Sequence, residues 1–353
     1  MRALVCDGPE RVALLEVGDP EPAPGEVLVR VTAALTCATD FKILKRGHAK
    51  FPFPLTLGHE FAGVVERAGA GAGFRPGERV ASAVSGPCGA CGDCRAGREN
   101  LCATAFDSPL FGAFADLLLV PERLVKNGLR RIPAGLSDAA AALLDPLASV
   151  VHGLSRVGAT GGAAGGGDVL IVGTGPIAAM LFFLLRGNEG TSGAERRIVV
   201  AGRRAERLEY FLERGASGVR IEESPRASGG ASSLFTFNED PRSFSLVIDT
   251  TGNAGVISAL PELAADGGTV LLFAGLAPGS RLSFDAHALH YREVSIVGSF
   301  HYTPREADEA LALLERGAVP VDEIVSARRP LSDWRAAFDL AQGGGAMKVA
   351  LVP

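Results

Sequence analysis

The chain lacks any apolar segment long enough to cross a membrane. Its longest apolar run, residues 177–185, is about half of the ~20 residues that a membrane-spanning helix requires. The first seven residues contain neither the apolar core nor the cleavage site of a signal peptide. Both absences predict a soluble, cytoplasmic protein with no membrane partner.

The chain also has no excess of basic residues. Its 35 Lys and Arg residues are outnumbered by 40 Asp and Glu residues, which gives a net charge of −5. Because nucleic-acid-binding surfaces are normally basic, we expect no nucleic-acid partner. Hydrophobic residues make up 47% and charged residues 21% of the chain, which excludes wholesale disorder. A length of 353 residues suits two domains of about 150 residues each.

Cysteine is scarce, and in a reducing compartment the six cysteines serve as thiols or metal ligands rather than disulfides. Four are separated by only two, two and seven residues: Cys88, Cys91, Cys94 and Cys102. Four thiolates on a short loop can converge tetrahedrally on Zn²⁺. An iron–sulfur cluster is the alternative, but a ferredoxin motif has three residues before its last cysteine and a proline after it. Here seven residues intervene and Ala103 follows. A four-thiolate zinc has no open position, so we predict a structural site.

The first part of the chain is rich in short β-like runs broken by Gly and Pro, at residues 27–31, 61–67, 79–83 and 114–120. This pattern indicates a mostly β body with many turns, in whose first strand Cys6 is expected to be a buried apolar side chain. A helical stretch follows from Ser137, a suitable N-cap, to about Arg156.

Behind a Gly-rich segment at 158–167 the pattern changes. Short apolar strands at 169–172, 198–201, 246–248, 270–273 and 294–297 are separated by helix-length segments. Such alternation predicts a parallel sheet with helices on both faces. Residues 187–195 and 224–240 are expected to be surface loops. Helices at 305–316 and 332–341 and a final strand at 348–352 complete the predicted elements.

A glycine turn joins the first strand of this region to an apolar helix. Gly173, Gly175 and Ala178 have the spacing of a dinucleotide-binding turn, in which the first glycine makes the bend and the second lets the backbone approach a pyrophosphate. The helix N-terminus, which begins with Pro176 and Ile177, favours the bound anion. Between a strand and a helix, this spacing predicts a nicotinamide dinucleotide site.

The next strand ends in Gly202, Arg203 and Arg204, where an NAD enzyme would usually carry an acidic residue. An acid at that position binds the ribose 2′-hydroxyl but repels a 2′-phosphate, whereas arginines can bind the phosphate. We therefore favour NADP(H), with NAD(H) as the alternative if the arginines are only solvated charges. Further contacts to the cofactor are predicted where later strands end, at Thr250, Ala274, Gly275 and Ser299.

The segment Gly58-His59-Glu60, followed by Gly63, resembles the signature of the zinc-containing medium-chain alcohol dehydrogenases. The resemblance extends over essentially the whole chain, because the signature, the cysteine cluster, the glycine turn and the C-terminal segment follow in the same order as in that family. It is greatest to the polyol, threonine and secondary-alcohol branch. The resemblance implies an α/β protein with a GroES-like, mostly β catalytic domain at 1–155, to which 302–353 return. A Rossmann domain with a doubly wound parallel sheet would occupy 156–301.

The resemblance also implies a catalytic zinc held by Cys37, His59 and a third protein ligand, with one position open. We favour Asp145, which stands where the polyol branch has a glutamate, and treat Glu60 as an exchanging or neighbouring carboxylate. The alternative is that Asp145 only caps a helix before Pro146.

By the same resemblance, the substrate oxygen is polarised by zinc, hydride passes between the carbinol carbon and the nicotinamide, and Thr39 relays the proton. Lys42 stands where many relatives have the next histidine of the relay. Either His48 or the ribose hydroxyls with water continue the relay, or the proton is released in a different way. Phe300 to Tyr302 stand where polyol enzymes often have an arginine, which puts polyol specificity in doubt.

These observations predict a two-zinc oxidoreductase that acts on a secondary alcohol or polyol, or the matching carbonyl. The alternatives are a zinc-free quinone or enoyl reductase and a non-catalytic binding protein on the same fold. The apolar strand at 294–297 would leave an open sheet edge in a monomer, so we expect a homodimer or homotetramer.

Overall fold

The structure is a computed structural model and describes residues 1–48, 51–107, 109–159, 167–187, 196–220 and 243–353. Two compact units are present: residues 1–148 with 302–353, and residues 149–301. Of the predicted loop at 187–195, only Gly187 is described, at the end of a helix. The rest of that loop, the predicted loop at 224–240 and most of the Gly-rich segment at 158–167 lie outside the described residues. Within the described ranges, no helix has both the length and the apolar character needed to span a bilayer.

The strands are, in chain order, β1 Arg2–Gly8, β2 Arg11–Glu16, β3 Val27–Leu35, β4 Leu55–Thr56, β5 Glu60–Ala68, β6 Arg79–Ser82, β7 Leu117–Val120, β8 Leu129–Arg131, β9 Asp168–Val172, β10 Ile198–Gly202, β11 Ser217–Arg220, β12 Phe244–Asp249, β13 Ala264–Leu272, β14 Ser295–Gly298, β15 Ala327–Pro330 and β16 Val349–Val352.

The α-helices are α1 Ala38–Arg46, α2 Gly92–Arg95, α3 Glu122–Asn127, α4 Asp138–Ala141, α5 Leu144–Arg156, α6 Pro176–Arg186, α7 Ala205–Leu212, α8 Ala254–Leu263, α9 Ala286–Tyr291, α10 Pro304–Glu315, α11 Val321–Ile324 and α12 Trp334–Gly343. Short 3₁₀ turns occupy Glu99–Leu101 and Leu331–Asp333. The helical stretch predicted from Ser137 is thus two helices, and the Ser137 side chain accepts a hydrogen bond from the Ala140 N–H, as expected of an N-cap.

The first unit is built on a seven-stranded sheet in the order β15-β16-β3-β5-β6-β8, with β7 paired to β3, and a smaller sheet in the order β2-β1-β4. The buried side chains of β1, β3 and β5 pack in one apolar core with those of β16 and α12, and this core includes Cys6. The C-terminal segment therefore belongs to the same core as the N-terminal strands.

The long pairing of β3 with β5 explains one glycine of the sequence signature. The strands are antiparallel, with Val31 opposite Gly63 and Leu35 opposite Glu60. A Cβ added at Gly63 would lie 2.5 Å from both the Arg30 carbonyl oxygen and Val29 Cγ1, closer than carbon atoms can approach. Only glycine at position 63 therefore lets the two strands approach this closely. Their approach sets the positions of the residues at the strand ends.

The second unit contains a parallel six-stranded sheet in the order β11-β10-β9-β12-β13-β14. The strand order reverses beside β9, the feature that defines a doubly wound dinucleotide fold. The predicted fold class is confirmed. The strand β11 was missed by the sequence analysis because Ser217–Arg220 is short and carries no apolar alternation.

Candidate functional site

The end of β3 and the start of β5 bring together the first predicted metal ligands. Because Leu35 pairs with Glu60, the chain places Cys37 just beyond one strand and His59 just before the other. One donor atom each from Cys37, His59 and Glu60 lies within 4.8 Å of the others. His59 and Glu60 are only 4% and 1% exposed, so these donors meet in a nearly water-free site. Thr39 is half-buried in the first turn of α1.

Asp40 holds this arrangement in place, a role that the sequence analysis missed. Its carboxylate accepts hydrogen bonds from the backbone N–H groups of Cys37 at 3.1 Å and Gly58 at 3.2 Å, and lies 3.3 Å from His59 Nδ1. With Nδ1 facing Asp40, His59 has Nε2 left for a metal, the usual arrangement behind a metal-binding histidine. The available signal was an acid three residues after the ligand cysteine, at the third position of a helix.

The charges around His59 suit a bound cation. Burial alone would lower the pKa of His59, but the negative charges of Asp40 and Cys37 outweigh it and raise that pKa well above the ordinary 6.5. A thiolate, an imidazole and a carboxylate are ligands that Zn²⁺ prefers, and three protein ligands leave one position for substrate. The residues present therefore fit a catalytic zinc.

Each of the two candidate carboxylates has its own partner. The buried Lys348 ammonium donates to Glu60, and the buried Tyr302 hydroxyl donates to Asp145. Asp145 is 8% exposed and close enough to Glu60 for its charge to act on the pKa of that residue. It is not among the donors grouped within 4.8 Å of Cys37 and His59 in the described chain.

His48 is one of the two candidates for continuing the proton relay. Two phenyl rings connect its ring to that of the predicted ligand His59. His48 stacks on Phe51 at a centroid distance of 4.3 Å, Phe51 contacts Phe111 at 4.6 Å, and Phe111 contacts the His59 ring at 5.1 Å. A phenyl ring neither donates nor accepts a proton, so these ring contacts themselves carry no proton. Lys42 is exposed.

The cysteine cluster has the geometry of a four-thiolate metal site. One sulfur from each of its members lies within 4.8 Å of the others: Cys88, Cys91, Cys94 and Cys102. Cys94 Sγ is 3.8 Å from Cys88 Sγ and 3.5 Å from Cys91 Sγ. Zinc–sulfur bonds of about 2.3 Å in a tetrahedron place the sulfur atoms about 3.8 Å apart. The cluster therefore fits zinc without rearrangement.

Hydrogen bonds favour the thiolate form of Cys88 and Cys102, whereas burial raises the pKa of Cys94 to about 12. The Cys91 backbone N–H donates to Cys88 Sγ at 3.2 Å, and the Cys88 N–H donates to Cys102 Sγ at 3.4 Å. Burial raises the pKa of Cys102, but hydrogen bonds from the Thr104 hydroxyl and the Cys88 N–H outweigh it and lower that pKa to about 6. Arg123 of α3 reaches the same region, donating to Thr104 Oγ1 at 2.7 Å.

In the second unit, the predicted cofactor residues meet at the carboxyl ends of the parallel strands. Gly173 has a φ of 120°, and a Cβ there would lie 2.1 Å from Thr250 Oγ1. That hydroxyl donates to the Val172 carbonyl oxygen at 2.8 Å, which joins the ends of β9 and β12. Gly175 caps α6, and Pro176 and Ile177 begin it. The turn is therefore shaped as a dinucleotide-binding turn requires.

The neighbouring strand ends lie at the same edge of the sheet. Gly252 approaches Gly275 so closely that a Cβ on Gly252 would lie 2.8 Å from the Gly275 carbonyl oxygen. The Ala274 N–H donates to the Asp249 carbonyl oxygen at 3.3 Å, and the Ser299 N–H donates to the Leu272 carbonyl oxygen at 3.1 Å. In open α/β sheets, ligands bind at this edge, beside the point where the strand order reverses.

The end of β10 carries a group of arginines. Arg203 and Arg204 are exposed, Arg204 is the N-cap of α7, and the half-buried Arg207 lies in its first turn. Burial lowers the pKa of Arg207, and the charge of Arg204 lowers it further. Cations at a helix N-terminus oppose the helix dipole, so this group favours an anion as its ligand.

Comparisons with known proteins agree with this geometry. An alcohol dehydrogenase GroES-like domain family matches residues 23–129, and a zinc-binding dehydrogenase family matches residues 191–316. D-altritol 5-dehydrogenase of Agrobacterium fabrum is 32% identical over 92% of this chain and 90% of its own. L-threonine 3-dehydrogenase of Anaeromyxobacter dehalogenans is 30% identical over 99% of this chain and 98% of its own. A crystal structure of a Sinorhizobium meliloti zinc-binding dehydrogenase bound to NADP is 29% identical, covers 100% of this chain and 99% of its own, and superimposes with a TM-score of 0.81.

Replacing Asp40 tests its role behind the metal ligands. Asp40→Asn keeps the shape but removes the charge that orients His59, so we expect the affinity for one zinc to fall about 10–100-fold. Competition with a chelator measures this loss, and the four-cysteine site serves as an internal reference. Asp308→Asn, which removes an exposed carboxylate paired with Arg130, is the control. Equal zinc retention by both variants would contradict the role of Asp40.

Proposed function

We propose that this chain, which belongs to the zinc-dependent medium-chain alcohol dehydrogenase family and transfers hydride between an alcohol and a nicotinamide cofactor, uses NADP(H) and two zinc ions. Its substrate would be a secondary alcohol or polyol, or the matching ketone or aldehyde. The catalytic domain would comprise residues 1–155 with 302–353, and the cofactor domain residues 156–301. The compact units in the structure support this division.

The observation that carries the proposal is the convergence of half-buried Cys37 with buried His59 and Glu60. A zinc ion held there would supply Lewis acidity at the substrate oxygen. We propose Cys37, His59 and Asp145 as its ligands, with Glu60 as an exchanging or neighbouring carboxylate. Thr39 would hold the proton of the substrate hydroxyl. Asp145 lies within the electrostatic range of Glu60, which supports its assignment to the same site.

Elemental analysis and two cysteine variants test the zinc assignments. We expect two zinc ions per chain in the wild type and about one in either variant. Cys91→Ser should strongly lower the unfolding temperature, because a structural zinc contributes folding energy directly. Cys37→Ser should remain folded and lose about 1,000-fold or more in turnover, since Lewis-acid stabilisation is worth several kcal/mol. A purified wild type without zinc, or with iron, would contradict the assignment.

The preference for NADP(H) rests on the end of β10. No acid is present there, and a Cβ at Gly202 would lie 2.3 Å from Thr174 Cγ2 in the glycine turn. An aspartate at this position, which in NAD enzymes binds the ribose, would require the Thr174 side chain to shift, while Arg203 and Arg204 stand beside it. The relative from Sinorhizobium meliloti binds NADP, which supports the same choice here. The remaining predicted contacts are with the glycine turn and with Thr250, Ala274, Gly275 and Ser299.

Arginine variants test this preference. Arg203→Ala and Arg204→Ala should each lower kcat/KM for NADP(H) about tenfold or more, because a hydrogen bond to a charged group contributes about 1.5–3 kcal/mol. The value for NAD(H) should hardly change. A wild type that prefers NAD(H), with no selective loss in either variant, would show that the arginines are only solvated charges.

The double variant Thr174→Ala/Gly202→Asp adds an acid and the space to hold it. It should raise kcat/KM for NAD(H) and lower that for NADP(H), because the new carboxylate repels a 2′-phosphate and accepts from a free ribose hydroxyl. Gly202→Asp alone should do so less well, since its side chain meets Thr174. Thr174→Ala alone is the matched control.

We also propose that the chain forms a homodimer or homotetramer through β14. This strand ends the described six-stranded sheet, and open edges invite pairing with another chain. The dimer should dissociate when Val297→Lys places a charge on that edge, whereas Ser217→Lys on the opposite edge strand should leave it intact. Light scattering measures this, and a wild type of 36.5 kDa at micromolar concentration would contradict the proposal.

A further inference from the structure

A fully buried carboxylate ends a central strand of the parallel sheet. Asp249 is 0% exposed and is the last residue of β12. It pairs with Val172 of β9 on one side and with Leu272 of β13 on the other. The proposed glycine turn follows Val172 directly, so Asp249 lies at the edge where an open α/β sheet binds its ligand.

The two oxygens of this carboxylate hold the loop that follows β12. Oδ1 accepts hydrogen bonds from the Thr251 N–H at 2.9 Å and from the Thr251 hydroxyl at 2.6 Å, and Oδ2 accepts from the Gly252 N–H at 3.1 Å. Burial raises the pKa of Asp249, and these hydrogen bonds oppose the rise. A buried carboxylate without hydrogen bonds is strongly unfavourable, so the loop and the carboxylate hold each other in place.

The carbonyl oxygen of the same residue holds a second loop, the one that follows β13. It accepts from the Phe273 N–H at 3.2 Å and from the Ala274 N–H at 3.3 Å. The two loops then meet where Gly252, with a φ of 63°, approaches the Gly275 carbonyl oxygen. Asp249 therefore fixes two neighbouring strand ends at the proposed cofactor edge.

A chain of hydrogen bonds continues from the carboxylate to the start of α8. Thr251 Oγ1, which donates to Asp249, accepts from the Asn253 N–H at 3.1 Å. The Asn253 side chain in turn caps α8, accepting from the N–H groups of Gly255 at 2.9 Å and Val256 at 3.2 Å. Hydrogen bonds in such a chain strengthen one another, so removing the carboxylate should loosen the whole loop.

We propose that Asp249 is a positioning residue for the dinucleotide, whose buried carboxylate holds the loop after β12 in its binding conformation before the cofactor arrives. The inference rests on the proposed cofactor site, which includes Thr250 of that loop. Asp249 itself does not touch the cofactor, because it is 0% exposed. A loop that is already ordered saves the entropy of ordering it on binding, which raises affinity. The gain is the same for NADP(H) and NAD(H), since the loop serves both.

Cofactor titration of the zinc-loaded enzyme tests the positioning role. Asp249→Asn keeps the shape of the side chain, but one of its two oxygens becomes an NH₂ donor that faces a backbone N–H. We expect the Kd values of NADPH and NADH, measured by cofactor fluorescence, both to rise about tenfold or more, because a hydrogen bond to a charged acceptor is lost. Unchanged Kd values in this variant would overturn the inference.

Asp168→Asn is the matched control. Asp168 begins β9 at the opposite edge of the same sheet, where its carboxylate pairs with Arg197 at 2.8 Å. Its replacement also removes an acid from the sheet, but at the edge away from the proposed cofactor site. Both Kd values should therefore stay at the wild-type level even where the unfolding temperature falls. An equal rise in the Asp168 and Asp249 variants would indicate a general loss of stability and would overturn the inference.

Hydrogen exchange of the zinc-loaded enzyme without cofactor shows whether the loop is ordered in advance. The Thr251 and Gly252 amides should exchange at least about tenfold faster in Asp249→Asn than in the wild type, because both lose their acceptor. Saturating NADPH should slow the exchange in the variant. If the two proteins exchange these amides equally fast without cofactor, Asp249 does not order the loop and the inference is wrong.

The exposed end of the same hydrogen-bond chain provides variants that leave the core intact. Thr251→Val removes the hydroxyl and should raise the Kd of both cofactors, whereas Thr251→Ser keeps the hydroxyl and should retain wild-type binding. The double variant Thr251→Val/Asp249→Asn should lose less affinity than the two single losses multiplied, because both changes break one chain. If Asp249→Asn does not fold, the Thr251 pair decides, and equal binding by its two members would overturn the inference.

Failure of the proposed cofactor site has a different signature. A wild type that binds neither NADPH nor NADH would refute the proposed function and the inference together. If the arginine variants show no selective loss of NADPH while Asp249→Asn weakens both cofactors, only the preference for NADP(H) falls. If the wild type binds NADPH and Asp249→Asn binds it equally well, the proposed function stands and only the role of Asp249 is refuted.

Discussion

The antiparallel pairing of β3 with β5 is the interaction on which the first unit depends. It places Leu35 opposite Glu60, so that the residues just beyond one strand and just before the other share one buried space. Gly63 makes this approach possible, since any Cβ there would meet the Arg30 carbonyl oxygen. The signature Gly58-His59-Glu60 with Gly63 therefore combines candidate metal ligands with the glycine that lets the two strands approach.

The same sheet supplies the electrostatic surroundings of the ligands. Asp40 reaches His59 from the first turn of α1, and Lys348 reaches Glu60 from the start of β16. Asp40 lies beside the His59 ring and Lys348 pairs with the Glu60 carboxylate, and such surroundings govern metal affinity nearly as much as the ligands do.

In the second unit, two threonines shape the cofactor edge of the sheet. Thr250 closes the space beside Gly173, and Thr174 closes the space beside Gly202. The first contact joins neighbouring strand ends beneath the glycine turn. The second contact lies where NAD enzymes carry an acidic side chain, and an added Cβ at Gly202 would meet the Thr174 side chain at 2.3 Å.

The sequence alone was sufficient for the family and the fold class, and it predicted the cysteines, His59 and Glu60 whose donor atoms the structure brings together, because these depend on short-range patterns. Cysteine spacing, a glycine turn and strand–helix alternation are set by neighbours along the chain, and chain connectivity preserves them in any fold. The partners of the two carboxylates were decided only by tertiary structure. Lys348 lies 288 residues from Glu60, and Tyr302 lies 157 residues from Asp145. Lys348 immediately precedes β16, which pairs with β3, and Tyr302 lies outside any strand, so both contacts arise from tertiary packing that no local pattern records.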